Sequence, residues 1–310
     1  MNWSTDKSHQ VGISAIHFEG GNRVEDIESI TNAKEKFKAV SIPLNKKLLG
    51  SNSYLRNDLS LHEFITIPAK KTLQEFSQMN EPVDMVIFAS ANLAHIHHEP
   101  SLVCQMLKTL NIEQAIPIAV TLQECTSLLA AIDIARMYIQ CQSYKNILVI
   151  SFDQISVEDD RVKSFGVISD AVSSCIVRHS TSALHQIMCY ENGYDIKGAN
   201  GKDDFNSRKQ LSQRVTQNVL SKSGATINDI TKVFTTNFYK PVTQFSADTL
   251  SLKKEQVYNG TAMNMAHCVC SDPLINFAHY LKNEEAHSGA LYLLQSYAPG
   301  FMASMVIRAN

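Results

Sequence analysis

The apolar positions of the chain fall into two kinds of run. Asn146-Ile147-Leu148-Val149-Ile150 and Ala290-Leu291-Tyr292-Leu293-Leu294 lack polar alternation, as strands covered on both faces do. The segment from Ser127 to Gln140 instead sets Leu128, Leu129, Ile132, Ala135 and Ile139 at helical spacing, with Ala130, Ala131 and Ile134 on its other side. A helix apolar nearly all round belongs inside a core. Buried strands that follow helical segments predict an α/β protein with central sheets.

One local grammar occurs twice. A helix-like stretch, Lys71 to Phe76, leads through the acidic turn Glu81-Pro82-Val83-Asp84 into Met85-Val86-Ile87-Phe88-Ala89-Ser90. A second, Leu211 to Thr216, leads through Ile227-Asn228-Asp229-Ile230 into Lys232-Val233-Phe234-Thr235-Thr236. They lie nearly half a chain apart, which predicts two related βαβ halves sharing a core, residues 1–182 and 183–310, rather than a short-period repeat. The polar stretches Glu158 to Arg161 and Asn192 to Asp204 read as loops between strands, the second rich in glycine.

Composition narrows the function classes. With 310 residues, 44% hydrophobic and 19% charged, the chain can bury a large core and is not a disordered sequence. A net charge of −2 offers no global attraction to nucleic acid or to an anionic membrane. No apolar stretch reaches the roughly 20 residues of a membrane span, and a cytoplasmic location is expected. Seven cysteines without paired spacing fit reduced thiols, and Cys268-Val269-Cys270 is too tight for a zinc knuckle. His95, His97 and His98 invite a metal reading, yet no carboxylate or cysteine spacing completes a ligand set, so no metal is expected. The glycine-rich loops that cradle nucleotides are absent too, and no tightly bound cofactor is expected.

The candidate chemistry centres on Cys125. It follows the apolar run Ile116-Pro117-Ile118-Ala119-Val120 and immediately precedes the buried helix. A thiol at a helix start faces unpaired N–H groups and the positive end of the helix dipole, which favour a thiolate. The same amides can hold an oxyanion during acyl transfer. Position alone favours instead a small apolar residue packed at a helix–sheet junction.

Further segments decide between the two. Val83 to Ser90, then His98-Glu99-Pro100-Ser101, Gln105 and Leu110-Asn111-Ile112 resemble the strand, Pro-Ser turn and helix that precede the active cysteine in the ketoacyl synthase III group. Cys125-Thr126-Ser127-Leu128-Leu129-Ala130-Ala131 is similar to that group's cysteine-bearing helix start, and Tyr144 to Ser151 to the strand after it. Phe165-Gly166-Val167-Ile168-Ser169-Asp170-Ala171-Val172 falls where the group has a Phe-Gly-Asp-Gly-Ala-Gly stretch. Leu293 to Phe301 resembles its terminal strand and glycine loop. The resemblance spans nearly the whole chain. It implies a thiolase-like fold, a five-layered α-β-α-β-α sandwich, with Cys125 as nucleophile and the amides of Cys125 and Gly300 as oxyanion hole.

The resemblance breaks at the partner residues. The group carries a His-Gln-Ala-Asn pattern after its second-half strand, but Thr235-Thr236-Asn237-Phe238 stands here. Where a Gly-Asn-Thr-Ser pattern is usual, the chain has Met265-Ala266-His267-Cys268. The resemblance thus implies a Cys125–His267 dyad with Asn237 as a possible helper, while Asp272 reads as a helix cap or as an orienter of His267, the cap being preferred. Such altered dyads look like those of specialised enzymes of secondary metabolism.

The function implied is acyl transfer from a coenzyme A or carrier-protein thioester through acyl-Cys125 to a second substrate, in secondary metabolite or fatty acid/polyketide biosynthesis. The group's aromatic and arginine contacts to coenzyme A are not recognisable in residues 36–58, so the donor's carrier stays open. A decarboxylative ketosynthase acting on a malonyl thioester, a thioesterase-like hydrolase and a non-catalytic partner subunit of a heterodimer are the rival readings. A homodimer is the default assembly, with a heterodimer as the alternative.

Overall fold

The computed structural model describes residues 10–77, 81–92, 100–180, 183–202, 204–284 and 286–309. The first half runs β1 (Val11–Gly20), α1 (Leu61–Ser77), β2 (Met85–Ala89), α2 (Pro100–Thr109), β3 (Ile116–Val120), α3 (Ser127–Gln140), β4 (Asn146–Asp153) and β5 (Ala171–His179). The second runs β6 (His185–Tyr194), α4 (Phe205–Ser223), β7 (Ile230–Phe234), α5 (Lys240–Thr249), β8 (Val257–Tyr258), α6 (Asp272–Asn283), β9 (Leu291–Ala298) and β10 (Phe301–Ala309).

The strand order is β3-β2-β4-β5-β1 in the first half and β8-β7-β9-β10-β6 in the second. Both halves therefore wind identically. β2 lies parallel to β3 and β4, and β5 runs antiparallel between β4 and β1. β7 lies parallel to β8 and β9, and β10 runs antiparallel between β9 and β6. The halves join where β1 meets β6, through the pairs Gly12↔Gln186 and Ile13↔His185.

Side-chain alternation along these strands builds the layers. In β4, Ile147 and Val149 turn inward to Leu128, Ile132 and Ile139 of α3 and to Leu274 and Phe277 of α6. Leu148 and Ile150 turn outward to Phe64 and Ile65 of α1 and to Leu102 and Met106 of α2. In β9, Tyr292 and Leu294 share the inner core, while Leu293 packs on Val219 and Leu220 of α4. The five layers are thus α1/α2, the first sheet, α3/α6, the second sheet and α4/α5, the sandwich that the resemblance implies. Both faces of each sheet are covered, which is why the strands read as unbroken apolar runs. The duplicated grammar of the sequence corresponds to α1–β2 and α4–β7, in equivalent places.

The boundary drawn at residue 182 lies outside the described residues, as do His95, His97 and His98; the topology starts over between His179 and His185. The charged loop at Glu158–Arg161 is more than a surface turn. Arg161 is 1% exposed, donates to Asp170 Oδ1 and Oδ2 at 2.9 and 3.0 Å, and lies 5.2 Å over the Tyr54 ring. Asp170 also accepts from the amides of Asn57 and Ile155, both at 2.8 Å. A buried guanidinium anchored this way fixes the Gly166–Asp170 segment that leads to the site. Among the described residues, no helix is long and apolar enough to cross a membrane.

Candidate active site

Cys125 sits in a tight turn, Glu124–Thr126, between β3 and α3. The backbone leading to it is strained: Leu122 and Glu124 hold φ of 71° and 49°, a region that side chains disfavour. The turn is held by donors aimed at its carbonyls. Thr126 Oγ1 donates to Gln123 O at 2.7 Å and Ser127 Oγ to Glu124 O at 2.9 Å. Ser296 Oγ, reaching from β9, donates to Cys125 O at 2.7 Å, and Cys270 Sγ to Glu124 O at 3.3 Å. Buried carbonyls need such partners, and here both halves supply them.

His267 arrives on the loop before α6, where Ala266 and Val269 both hold φ of 50°. Its amide donates to Val167 O at 3.0 Å and its carbonyl accepts from Ser169 N–H at 2.8 Å, so the Arg161-anchored segment grips it from the first half. The ring is walled edge-on by Phe165 and Phe238, at 5.6 and 5.3 Å between centroids. Its Nε2 lies 3.5 Å from Cys125 Sγ, and its Nδ1 lies 2.5 Å from Asp272 Oδ2.

Asp272 is therefore an orienter of His267, contrary to the preference for a cap. Its Oδ2 also accepts from the Asn237 amide at 2.8 Å, and its Oδ1 from the Cys268 amide at 2.8 Å and Asn237 Nδ2 at 3.1 Å. A fully buried carboxylate that accepts so many hydrogen bonds is held in one direction. A carboxylate at Nδ1 accepts that nitrogen's N–H and turns Nε2 toward the thiol.

Asn237, read as a helper at the nucleophile, is turned to Asp272 instead. Its Nδ2 also donates to Thr261 Oγ1 and Ala266 O at 3.1 and 3.0 Å, and its Oδ1 accepts from Asn276 Nδ2 at 2.9 Å. It positions the carboxylate and no described hydrogen bond joins it to Cys125. Gly300 occupies the β9–β10 turn with φ of 77°. A Cβ there would lie 2.2 Å from Ala199 N and 2.6 Å from Asp195 O, which leaves glycine as the residue that fits. The same strand, β9, delivers Ser296 to the turn that carries Cys125.

Burial pushes the Cys125 thiol well above its ordinary range, and the carboxylates of Asp153, Asp272 and Glu124 push the same way. A sulfur so placed rests as a thiol and would become reactive as His267 takes its proton, a hydrolase-like relay rather than a preformed thiolate pair. Ser296 and Asp153 carry no sequence signal that singles them out, and Phe165 and Phe238 stood only inside segments compared with the ketoacyl synthase III group, with no role read for either. Asp272 was within reach through its short spacing from His267. Among the described residues, no group of three His, Cys, Asp or Glu side chains could hold a metal ion.

Comparisons with known proteins agree with this fold. The family model of 3-oxoacyl-[acyl-carrier-protein] synthase III matches residues 121–195, which hold Cys125, α3, β4 and β5. A beta-ketoacyl-[acyl-carrier-protein] synthase III of Bacillus cereus is 22% identical over 245 residues, covering 75% of this chain and 77% of that protein. The chain superposes on 3-oxoacyl-(acyl carrier protein) synthase III, FabH, of Pseudomonas aeruginosa with a TM-score of 0.79 at 16% identity, covering 97% of this chain and 98% of that one. On ChlB3, an acyltransferase, the TM-score is 0.80 at 12% identity, with the same coverage. A matched cysteine segment and the sandwich topology meet in one conclusion: the chain has the thiolase-like fold of the ketoacyl synthase III proteins and is similar to them over most of its length.

Proposed function

We propose that the protein is an acyltransferase that forms an acyl-Cys125 thioester and passes the acyl group to a hydroxyl or amine acceptor. The observation that carries this reading is the Cys125–His267–Asp272 chain, with His267 Nδ1 tied to a carboxylate and Nε2 turned to the thiol. A histidine oriented this way can take the thiol proton at Nε2. Decarboxylative condensation asks instead for two N–H donors to polarise a malonyl thioester. Here the Nε2 presents a lone pair, and the Asn237 amide is taken up by Asp272, Thr261 and Ala266.

In the first half-reaction His267 Nε2 takes the Sγ proton as Cys125 attacks the thioester carbonyl. The oxyanion falls to the amides of Cys125 and Gly300. Collapse expels the donor's thiolate, which leaves with the proton from Nε2. In the second, Nε2 takes the acceptor's proton, the acceptor attacks the acyl-cysteine, and the returning proton restores the thiol. Asp272 steadies the imidazolium in both steps. No resident cofactor is called for, and the donor is an acyl thioester of coenzyme A or of a carrier protein.

Among the described residues β3 ends the sheet without a further strand, which supports a homodimer. Ile116 is 50% exposed on this edge strand and Leu122, just beyond it, is 84% exposed, an apolar border that a second copy would cover.

Intact-protein mass after incubation with acyl-coenzyme A and acyl-carrier thioesters tests the reading. An adduct of acyl mass is expected in the wild type and absent in Cys125→Ala, and it should discharge on adding alcohols or amines. Discharge with carbon dioxide release from a malonyl thioester would establish condensation instead. A wild type that no donor labels would overturn the catalytic assignment.

A further inference from the structure

One buried acid near the nucleophile is left unused by this mechanism. Asp153, at the end of β4, is 7% exposed, and among the described residues no lysine, arginine or histidine pairs with it. Its Oδ1 accepts from Ser90 Oγ at 2.9 Å and from the Ala91 amide at 3.0 Å. Its Oδ2 accepts from the Cys270 amide at 3.1 Å. These bonds fasten three pieces of chain: the end of β4, the turn after β2, and the run between His267 and α6. The charge is thus stabilised by hydrogen bonds alone, inside the core that holds Cys125.

We infer that Asp153 is a positioning residue that clamps the histidine loop and sets an unpaired negative charge against Cys125, so that the nucleophile is held as a thiol until His267 draws off its proton. This rests on Cys125 being the nucleophile. The titratable groups gathered around the clamp are Cys125 and Glu124 on the nucleophile turn, and His267, Cys268, Cys270 and Asp272 on the histidine loop and α6, with Asp170 beside Cys268. Asp153 reaches the nucleophile turn through Cys270, whose amide donates to Asp153 Oδ2 at 3.1 Å and whose Sγ donates to Glu124 O, next to Cys125, at 3.3 Å, and its charge opposes that of a Cys125 thiolate. Burial raises its own carboxyl to about 6, so it carries its charge at neutral pH and above. A like charge opposes formation of a thiolate. The design keeps a buried thiol quiet toward adventitious electrophiles while leaving the histidine-assisted route open.

The test reads Cys125 directly, with no acyl donor involved. Iodoacetamide alkylation of Cys125, followed by peptide mass from pH 7 to 10, is compared in wild type, Asp153→Asn, Asp153→Ser and Asp153→Glu. The neutral variants should reach thiolate at lower pH and alkylate about three- to tenfold faster at pH 8, because the larger thiolate fraction is only partly offset by the slower attack of a less basic thiolate. Asp153→Glu, which restores the charge, should return the wild-type profile. A folded neutral variant with an unchanged profile overturns the inference, as does recovery of both neutral variants only as unfolded protein, which would make Asp153 a structural clamp without a charge role. Because no thioester is used, failure of the acyltransferase reading would leave this result readable.

Discussion

The two halves of this protein wind the same way, yet they are chemically unequal at the same place. At the start of α3 the first half presents Cys125; at the start of α6 the second presents Asp272, preceded by His267. Each helix follows the third strand of its half and enters the central layer, so duplication alone brings two helix starts into one core. What differs is the polarity each start must satisfy. The first turn offers carbonyls, met by Thr126, Ser127, Cys270 and Ser296. The second offers amides, that of Cys268 meeting Asp272 and that of Cys270 meeting Asp153. On the proposed mechanism, one scaffold thus supplies a nucleophile from one copy and a base with its orienter from the other.

If the chemistry is divided this way, His267→Ala should remove the relay and slow acylation of Cys125 by about 10³–10⁴-fold, as loss of a triad member does. Burst kinetics of thiol release from the donor would show it, and near-normal acylation would break the comparison. Asp272→Asn keeps the shape but offers an amide to Nδ1. That turns the ring's lone pair away from Cys125, and acylation should fall roughly 10²–10³-fold with little change in KM. An unchanged rate would mean that Asp272 serves the loop and not the ring.

The first half also steadies the second. Replacing Arg161 with Met strands Asp170 in the core and should lower stability by about 3–5 kcal/mol, read as a shift in the urea midpoint. A loss under about 1 kcal/mol would show that the clamp on His267 does not depend on this pair. At the seam, burial pushes His185 down to about 4 from an ordinary 6.5, and its ring packs edge-on to Phe277 at 5.0 Å with Nδ1 unpartnered. Its contribution is whole above pH 6.5 and is lost as pH falls toward 4, because the unfolded chain takes up a proton that the fold refuses. The loss amounts to about 3 kcal/mol. His185→Phe should flatten the fall in Tm across that window, and an equally steep fall would place the acid sensitivity elsewhere.

Much of the scaffold was legible in the residues. The boundaries Ile116–Val120 and Ser127–Gln140 follow from apolar runs and helical spacing, and both elements form as read. Cys125 stood out because it follows one and precedes the other. His267 and Asn237 were reached through the resemblance, and the structure separates them: the histidine faces the thiol and the asparagine faces Asp272. Arg161 read as part of a polar loop between strands, since charge in sequence says nothing of the partner that Asp170 provides from across the turn. Ser296 was invisible, a serine on an apolar strand whose hydroxyl matters through one distant carbonyl.

Sequence by itself determined the elements and the duplication, because periodicity and helix entry are local properties written over a few neighbouring residues, and it reached Cys125 as candidate nucleophile through the resemblance. Only the tertiary structure decided that Asp272 orients His267, that Asn237 serves the carboxylate, and that Asp153 lies without a cationic partner in the core that holds the thiol. Those roles depend on hydrogen-bond directions and burial among groups brought together from both halves, and no local pattern encodes which donor a buried carboxylate will meet.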